Sequence, residues 1–105
     1  MATVKELNDA FRTRFDRNLG RVVLTRGVSA WGITQELCRR VRGFSDFTPE
    51  NDPNGEHDFG AFEVGKQRFF WKIDYYDENM EYGSKDPSDP SKTMRVLTIM
   101  LAEEY

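Results

Sequence analysis

The sequence predicts an α+β fold, organised as one globular domain over residues 1–105. The expected architecture is a small antiparallel sheet of three or four strands with about three helices packed on it, in the order α-β-α-β-β-(β)-α. Apolar residues recur at helical spacing in two segments of the N-terminal half, and a run of alternating aromatic residues occupies the middle of the chain. A chain of 105 residues has the size of one domain with a single core.

The N-terminal half predicts two helices separated by a strand. Thr3 and Glu6 have the spacing of a capping box, which marks a helix start. The helix that follows carries one apolar stripe, formed by Val4, Leu7, Phe11 and Phe15. The β-branched run at residues 21–25 predicts a short strand. After a connection at residues 27–32, a second helix is expected over residues 33–44.

The middle of the chain predicts a β-hairpin that turns at Gly65 and Lys66, because a glycine in the first turn position suits the tight turn between two strands. This register places Gly60 opposite Trp71, where the missing side chain leaves room for the indole. The core face is expected to carry Phe62, Val64, Phe69, Trp71, Ile73 and Tyr75. The other face is mixed and carries Phe59, Ala61, Glu63, Arg68, Phe70, Lys72 and Asp74.

The C-terminal part predicts one more short strand and a final helix. Residues 80–82 follow a turn and are expected to form a third antiparallel strand. Asp89 followed by Pro90 is typical of a helix start. The segment after it is apolar around much of a helical surface, so a helix that packs on the sheet is expected over residues 90–104.

Composition and charge exclude some classes of protein. No apolar run approaches the roughly 20 residues that span a bilayer, and the N-terminus lacks the apolar segment of a signal peptide, so no membrane contact is expected. The single Cys38 cannot form an internal disulfide, which favours a reducing cytoplasm. We interpret this cysteine as a small, partly buried apolar residue.

The charges are distributed unevenly along the chain. Residues 1–44 contain nine basic and four acidic side chains, whereas residues 45–91 contain four basic and twelve acidic ones. Two explanations are open. The two halves attract each other within one domain, or the surface is polarised and its acidic side engages a basic partner.

The single histidine, His57, lies between Glu56 and Asp58 in a turn-rich loop at the entrance to the hairpin. Histidine titrates near neutrality and a neighbouring carboxylate can orient its ring, so these three residues are the candidates for acid–base catalysis. The structural alternative is that side chains such as Asp52 form turns and His57 hydrogen-bonds a backbone group. A calcium loop is not expected, because His57 stands where such a loop needs glycine. One histidine and one cysteine are too few for a zinc site, and no cofactor is expected.

Candidate binding residues lie around the same hairpin. Phe59 and Phe70 share its less buried face, where exposed aromatic side chains are typical of a contact surface, and Asp52 and Asp74 add carboxylates. The acidic residues from the end of the hairpin onward are interpreted as a solvated loop, with a divalent-ion site as the alternative. They are Asp74, Asp77, Glu78, Glu81, Asp86 and Asp89.

Arginines on the two predicted helices form a third candidate surface. They are Arg12, Arg14, Arg17, Arg39, Arg40 and Arg42. Arginines near exposed aromatic residues are typical of nucleic-acid-binding surfaces, but the acidic overall charge weakens that interpretation. The sequence has no phosphate-binding glycine loop and no serine–histidine–acid pattern.

The chain contains the segments GRVVLTRGV, NDPNGEHDFGAFEV, RFFWKIDYYD and RVLTIMLAEEY. Together they resemble a family of short bacterial proteins known only as domain of unknown function 3768, over nearly the whole chain from about Glu6 to Tyr105. The resemblance implies a proteobacterial origin, often on plasmids and other mobile elements, and it implies no activity, cofactor or catalytic residue. Trp31 departs from the family pattern, which has a smaller apolar residue there, so it is either a core residue or an exposed contact.

Three functions are expected, in this order. The first is a non-enzymatic accessory protein of bacterial mobile elements that acts in the cytoplasm by binding another protein, with inhibition of a host defence system as one form of that role. The second is a small enzyme or ligand-binding domain centred on His57. The third is nucleic-acid binding through the arginine-rich helices.

Overall fold

The computed structural model describes residues 2–105 and has three helices and a four-stranded sheet, so the predicted α+β class is confirmed. The helices are α1 (Val4–Arg14), α2 (Arg26–Trp31) and α3 (Thr34–Arg42). The strands are β1 (Gly20–Leu24), β2 (Phe59–Val64), β3 (Gln67–Tyr76) and β4 (Met94–Leu101), and short 3-10 helices occupy Pro90–Lys92 and Ala102–Glu104. Within residues 2–105, no helix is both long and apolar enough to cross a membrane.

The capping box predicted at the start of α1 is formed. The Thr3 hydroxyl oxygen accepts from the backbone N of Glu6 at 3.1 Å, and the Glu6 carboxylate accepts from the backbone N of Thr3 at 3.0 Å. These bonds satisfy backbone donors that a helix start leaves without partners. The helix ends at Phe15, whose φ of 50° lies in the left-handed region, so the chain turns sharply before β1.

The predicted hairpin register is confirmed, from the Val64–Gln67 pair beside the turn to the Gly60–Trp71 pair. Gly65 has a φ of 61°, a conformation that glycine adopts without steric cost. A β-carbon at Gly60 would collide with the Trp71 indole. The glycine therefore leaves the space that this fully buried side chain fills.

The predicted C-terminal helix is wrong. Asp89 does cap a helical turn, since its carboxylate accepts from the backbone N of Ser91 at 2.9 Å, but that turn ends at Lys92 and the chain continues as β4. β4 lies inside the sheet, whose order is β1-β4-β3-β2, and it is parallel to β1 and antiparallel to β3. The sheet is therefore mixed. A strand with neighbours on both sides and apolar residues on both faces lacks the alternation that marks a half-buried strand.

Two shorter segments also differ from their predictions. Residues 80–82 form no strand, and an isolated bridge between Tyr76 and Gly83 is the pairing observed in that region. The expected connection at residues 27–32 instead contains most of α2. Thr25 is the N-cap of that helix, since its hydroxyl oxygen accepts a backbone hydrogen bond of 3.3 Å from the first turn, and local capping of this kind is sufficient to start a short helix.

The helices pack on one face of the sheet and form one hydrophobic core with it. The buried core residues are Phe11, Val28, Leu37, Val41, Phe69, Trp71, Ile73, Leu97 and Ile99. Trp31 covers the edge of this core, because its ring meets Phe69 edge-on at 5.5 Å while 43 % of the residue stays exposed. The loop before β2 and the end of α1 emerge at the margins of the core, and both carry candidate functional residues.

Candidate functional site

His57 lies in the loop that leads into β2 and is largely enclosed by its neighbours. Its ring stacks on that of Phe47, with 3.7 Å between the ring centroids and an interplanar angle of 3°. Its Nδ1 lies 3.0 Å from a carboxylate oxygen of Asp9 in α1, and the side chain is 23 % exposed. The carboxylate that orients His57 therefore comes from a distant helix and not from the adjacent Asp58.

Asp52 holds the loop in shape, and its side chain is 6 % exposed. One carboxylate oxygen accepts from the backbone N of Glu56 at 3.1 Å and from that of His57 at 3.2 Å. These bonds fix His57 at a φ of 56°, a left-handed conformation that costs a non-glycine residue about 1 kcal/mol or more. The Nε2 of His57 lies 3.8 Å from the same carboxylate. Asp52 thus forms a side-chain turn, as the structural alternative for this loop expects. The His57 ring, however, meets the Asp9 carboxylate and not the expected backbone group.

Arg12 connects α1 to the end of α3 from inside the protein. It is 3 % exposed, and its Nη1 donates to the carbonyl oxygens of Val41 at 2.8 Å and Phe44 at 2.9 Å. Its Nη2 donates to Asp9 at 3.2 Å, and its guanidinium lies 5.1 Å from the ring centroid of Trp71. The assignment of Arg12 to an exposed arginine surface is therefore wrong, because its hydrogen bonds to buried carbonyls require it inside.

Asn8, one helical turn before Arg12, is fully buried and joins three parts of the chain. Its Nδ2 donates to the Glu56 carbonyl oxygen at 2.9 Å and to the Tyr75 hydroxyl at 2.8 Å. Its Oδ1 accepts from Nε of the buried Arg95 in β4 at 2.7 Å. The Tyr75 hydroxyl in turn donates to Asp58 at 3.1 Å. We call this network the polar cluster, and its members are Asn8, Asp9, Arg12, Asp52, His57, Asp58, Tyr75 and Arg95.

Burial is the largest cause of the pKa shifts in and beside the polar cluster. Burial raises the pKa of Asp58 above its ordinary value, although the hydrogen bond from Tyr75 opposes the shift. Burial also raises the pKa of Glu56, and the nearby Asp58 carboxylate adds to this effect. The pKa of Tyr75 is raised by burial, so its phenol stays protonated and can donate. Arg95 is fully buried, and this burial lowers the pKa of its guanidinium.

The geometry of the polar cluster favours a structural role. His57 has an orienting carboxylate, as a catalytic base does, but its second ring nitrogen faces Asp52. Among the open grooves on the surface of residues 2–105, the three best formed are not lined by Glu56, His57 or Asp58. Within the same residues, no group of three or more histidine, cysteine and acidic side chains is arranged to hold a metal ion. The cluster therefore ties the loop to α1 and the sheet.

Phe59 and Phe70 lie on the face of the sheet away from the helices. Their ring centroids are 5.2 Å apart, and the Tyr105 ring meets Phe70 edge-on at 5.5 Å and Phe59 at 6.1 Å. Asp74 is on the same face and pairs with Lys72 at 3.2 Å. Three of the four predicted binding residues thus share one face, where the C-terminal tyrosine partly covers the aromatic pair.

The acidic residues after the hairpin hold turns. Asp77 accepts from the backbone N of Glu81 at 3.0 Å and of Asn79 at 3.2 Å, and these backbone hydrogen bonds lower its pKa. Asp86 accepts from the backbone N of Ser88 at 3.2 Å. Both carboxylates have local donors as partners, which agrees with the interpretation of this segment as a solvated loop.

An open groove of about 1010 Å³ lies between the end of α1 and the α2–α3 junction. Phe15 borders it, and the guanidinium of Arg42 lies 5.4 Å from the Phe15 ring centroid. Arg39 extends from the neighbouring turn of α3, where it forms a surface ion pair with Glu36. Burial raises the pKa of the Cys38 thiol, which also borders the groove. We call this the arginine groove, and its lining is Phe15, Gly32, Ile33, Thr34, Gln35, Glu36, Cys38, Arg39 and Arg42.

A second groove of about 520 Å³ shares Phe15 with the arginine groove and is also lined by residues of β1. We call it the edge groove, and its lining is Phe15, Arg17, Gly20, Arg21 and Val22. The sequence did not single out Phe15, because its spacing places it on the apolar stripe of α1. Phe15 is partly buried and packs against the core while its ring also borders both grooves.

The fold and its surface define a small α+β protein with a mixed four-stranded sheet, one helix-covered face and open grooves lined by arginine. A family model described as "Protein of unknown function (DUF3768)" matches residues 16–104. The chain belongs to that family, which confirms the resemblance. Searches of curated proteins and of solved structures found no match.

Proposed function

We propose that this protein acts without catalysis, by binding another protein, and that the arginine groove receives carboxylate groups of the partner. The observation that carries this proposal is the pairing of an open groove with arginines that the protein itself leaves available. The side chain of Arg39 is 71 % exposed, and Arg42 is exposed beside Phe15. Arginine binds carboxylates through a planar fork of donors, which makes it a common residue at protein interfaces.

The charge balance around the groove supports an acidic partner. Within residues 2–105, the ion pairs of basic side chains involve Arg12, Arg39, His57, Lys72 and Lys92. Arg17, Arg21 and Arg42 therefore pair with no carboxylate of the described chain. Glu36 is the acidic residue in the lining of the arginine groove, and its surface ion pair with Arg39 contributes little to stability, so a partner carboxylate can replace it at small cost.

The position of His57 supports binding over catalysis. Its ring is stacked on Phe47 and its two nitrogens face Asp9 and Asp52, so a substrate would have to displace contacts that hold the loop. The arginine groove, in contrast, is open, and a partner carboxylate displaces only the surface ion pair between Arg39 and Glu36. Interfaces that exist before the partner arrives lose less entropy on binding.

The family resemblance supports the setting of this proposal. The proposed setting is a bacterial cytoplasm, where the protein would be an accessory factor of a mobile element, with a component of a host defence system as one class of partner. A protein of that kind acts by occupying the surface of another protein, for which a charged groove is suited.

The test compares a double charge reversal in the groove with a single charge reversal elsewhere on the surface. The double variant Arg39→Glu with Arg42→Glu changes the groove, and Lys85→Glu changes an exposed lysine in the acidic part of the chain. Wild type and both variants are immobilised at equal amounts, and the proteins captured from bacterial lysate are quantified by mass spectrometry. We expect proteins with acidic surfaces to be depleted by roughly tenfold or more on the double variant, because like charges now face each other, and to be retained on Lys85→Glu. An identical captured set on all three proteins would contradict the proposal.

Nucleic-acid binding is the second candidate, since an aromatic ring beside arginines also suits single-stranded nucleic acid. Arg42 already covers the Phe15 ring, however, and Arg40 donates to the Glu63 carbonyl oxygen at 2.9 Å. A single-stranded oligonucleotide titrated at physiological salt distinguishes the two candidates. Tight binding that weakens steeply with salt would favour nucleic acid, and no binding would favour an acidic protein.

A further inference from the structure

The sheet has two outer edges, formed by β1 and β2. A side chain lies across one of them, whereas the backbone groups of the other are free. An outer strand presents alternate backbone N–H and C=O groups that can pair with another chain, and proteins usually cover or obstruct such edges. Which residues face outward follows from the hydrogen bonds that each edge strand makes with its inner neighbour.

The β2 edge is obstructed by an arginine. The backbone N of Ile73 donates to the Asp58 carbonyl oxygen at 2.8 Å. In β2, the even-numbered residues therefore bond β3, and the odd-numbered residues direct their backbone groups outward. Glu63 is one of these, and its carbonyl oxygen accepts from Nη2 of Arg40 at 2.9 Å. The Arg40 guanidinium also lies 5.3 Å from the Phe62 ring centroid, so the side chain lies across this edge.

The β1 edge has its backbone groups free. The Leu19 carbonyl oxygen accepts from the backbone N of Arg95, and the backbone N of Thr25 donates to the Ile99 carbonyl oxygen, both at 3.1 Å. The odd-numbered residues of this segment therefore bond β4, and Val22 and Leu24 direct their backbone groups outward. No side chain of residues 2–105 bonds those groups, and the edge groove lies beside Val22.

The charges beside β1 select what can pair with it. Arg17 and Arg21 border the edge groove, and neither pairs with a carboxylate of the described chain. If β1 paired with β1 of a second copy, these arginines would be brought together, and like charges on paired strands are destabilising. An acidic strand would instead be attracted. A nucleic acid cannot match the alternate donors and acceptors of a strand edge, so the edge favours a polypeptide.

We propose that the free edge of β1 receives an extended, carboxylate-rich segment of the partner protein as a fifth strand, with Arg17 and Arg21 pairing its acidic side chains. This inference rests on the proposed function and states how that acidic partner is held. Main-chain hydrogen bonds to Val22 and Leu24 supply affinity, and the arginines supply selectivity for acidic side chains. Phe15 lies between the edge groove and the arginine groove, so the same segment can continue toward Arg39 and Arg42.

The first experiment uses a fluorescein-labelled peptide of alternating glutamate and valine, about eight residues long to match a typical strand. Binding to the full chain is followed by fluorescence anisotropy, and amide hydrogen exchange is followed by NMR at saturating peptide. We expect exchange at Val22 and Leu24 to slow by roughly tenfold or more, because these amides gain partners. Exchange at Arg21 and Val23, which already bond β4, should change little.

Matched peptides and variants separate the contribution of main-chain hydrogen bonds from that of the paired charges. A peptide with glutamine in place of glutamate, and one N-methylated along the pairing edge, should each bind about tenfold more weakly, a difference of about 1.4 kcal/mol. Arg17→Gln with Arg21→Gln should weaken binding of the glutamate peptide and leave the glutamine peptide unchanged. Arg40→Gln, on the β2 edge, is the control and should not alter peptide affinity.

Each of four results would overturn strand addition. They are no peptide binding at low salt, equal affinity of the N-methylated peptide, unchanged exchange at Val22 and Leu24 with peptide bound, and displacement of the peptide by a single-stranded oligonucleotide. Protection of these amides that grows with protein concentration would also overturn it, because a second copy then fills the edge. The peptide could also bind without protecting these amides, and this binding could be lost in the Arg39→Glu, Arg42→Glu variant. That result would overturn strand addition but would still support the proposed function.

Discussion

The polar cluster and the arginine groove contain the same kinds of side chain in different environments. The Arg12 side chain is 4 % exposed and donates to three backbone carbonyls, and an aspartate and two aromatic rings surround it. The Arg39 side chain is 71 % exposed and has one ion pair at the surface. In the first region most hydrogen-bonding groups have partners inside the protein, although Nε of Arg12 and Nη1 of Arg95 have none. In the second region the guanidinium groups stay exposed at the surface. Residue type alone does not separate these cases, whereas burial and hydrogen bonding do.

The largest expected effect comes from removing the buried arginine. Arg12→Ala should lower the free energy of unfolding by about 3–5 kcal/mol, because buried carbonyls and Asp9 lose a charged donor and a cavity remains. Urea denaturation followed by circular dichroism measures this change. Arg14→Ala, at an exposed position of the same helix, is the matched control and should change stability by less than about 0.5 kcal/mol. Equal effects of the two substitutions would show that Arg12 is not the central member of the polar cluster.

A smaller loss is expected at the histidine. His57→Ala removes the stacking on Phe47 and the contact with Asp9, and should lower stability by about 1–2 kcal/mol. Capture of acidic partners should remain at the wild-type level. Asn54→Ala, exposed in the same loop, is the control and should be neutral. A His57→Ala protein of wild-type stability that fails to capture partners would move the binding surface to the polar cluster.

The next effect depends on pH and is smaller. The pKa of Asp58 in the folded state lies above its ordinary value of 3.8, so protonation favours the folded state. That stabilisation is present in acid and is lost as the pH rises through the raised pKa. Asp58→Asn keeps an acceptor for Tyr75 without the charge, and should be more stable than wild type at pH 7 by about 1 kcal/mol or less, since the group is partly exposed.

Thermal melts of wild type and Asp58→Asn between pH 3 and pH 7 measure this difference. The advantage of the variant should shrink toward pH 3, where the carboxyl of the wild type becomes neutral as well. Asp46→Asn, which removes an exposed carboxylate, controls for the change in net charge. An advantage that grows toward acid would contradict the burial of Asp58 in the polar cluster.

The smallest effect on stability is expected in the arginine groove. Arg39→Gln with Arg42→Gln should change the free energy of unfolding by no more than about 0.5 kcal/mol, because exposed ion pairs contribute little. The same double variant should reduce capture of acidic partners. A large loss of stability would show that these arginines support the fold, and the contrast between the two regions would then fail.

Local patterns in the sequence predicted the hairpin and the start of α1 correctly. The Gly65 turn and the alternation of aromatic residues fix the register, since a slip by one residue would expose Trp71. The Thr3–Glu6 capping box needs only neighbours along the chain. Each of these features is decided by residues that are close in sequence, so periodicity and turn chemistry are sufficient to find them.

The strand β4 and the polar cluster depended on contacts between distant parts of the chain. Asp89 and Pro90 do start a helical turn, but pairing with β1 and β3 converts the rest of the segment into a strand, and tertiary context overrides local propensity there. Arg95 faces inward on β4 because Asn8, 87 residues away, accepts its hydrogen bond. A single sequence does not show such a partner. A charged residue at an inward position therefore breaks the apolar alternation that would otherwise predict β4.

The sequence by itself determined the α+β class, the hairpin and its register, and the family, because these follow from short-range patterns or from a specific string of residues. Tertiary structure alone decided which arginines are buried and which are open, and that Asp9, not a neighbour, orients His57. It also decided that β1 ends the sheet with a free edge. Burial, ion pairing and edge exposure depend on which distant segments come into contact. Packing of the whole core determines those contacts.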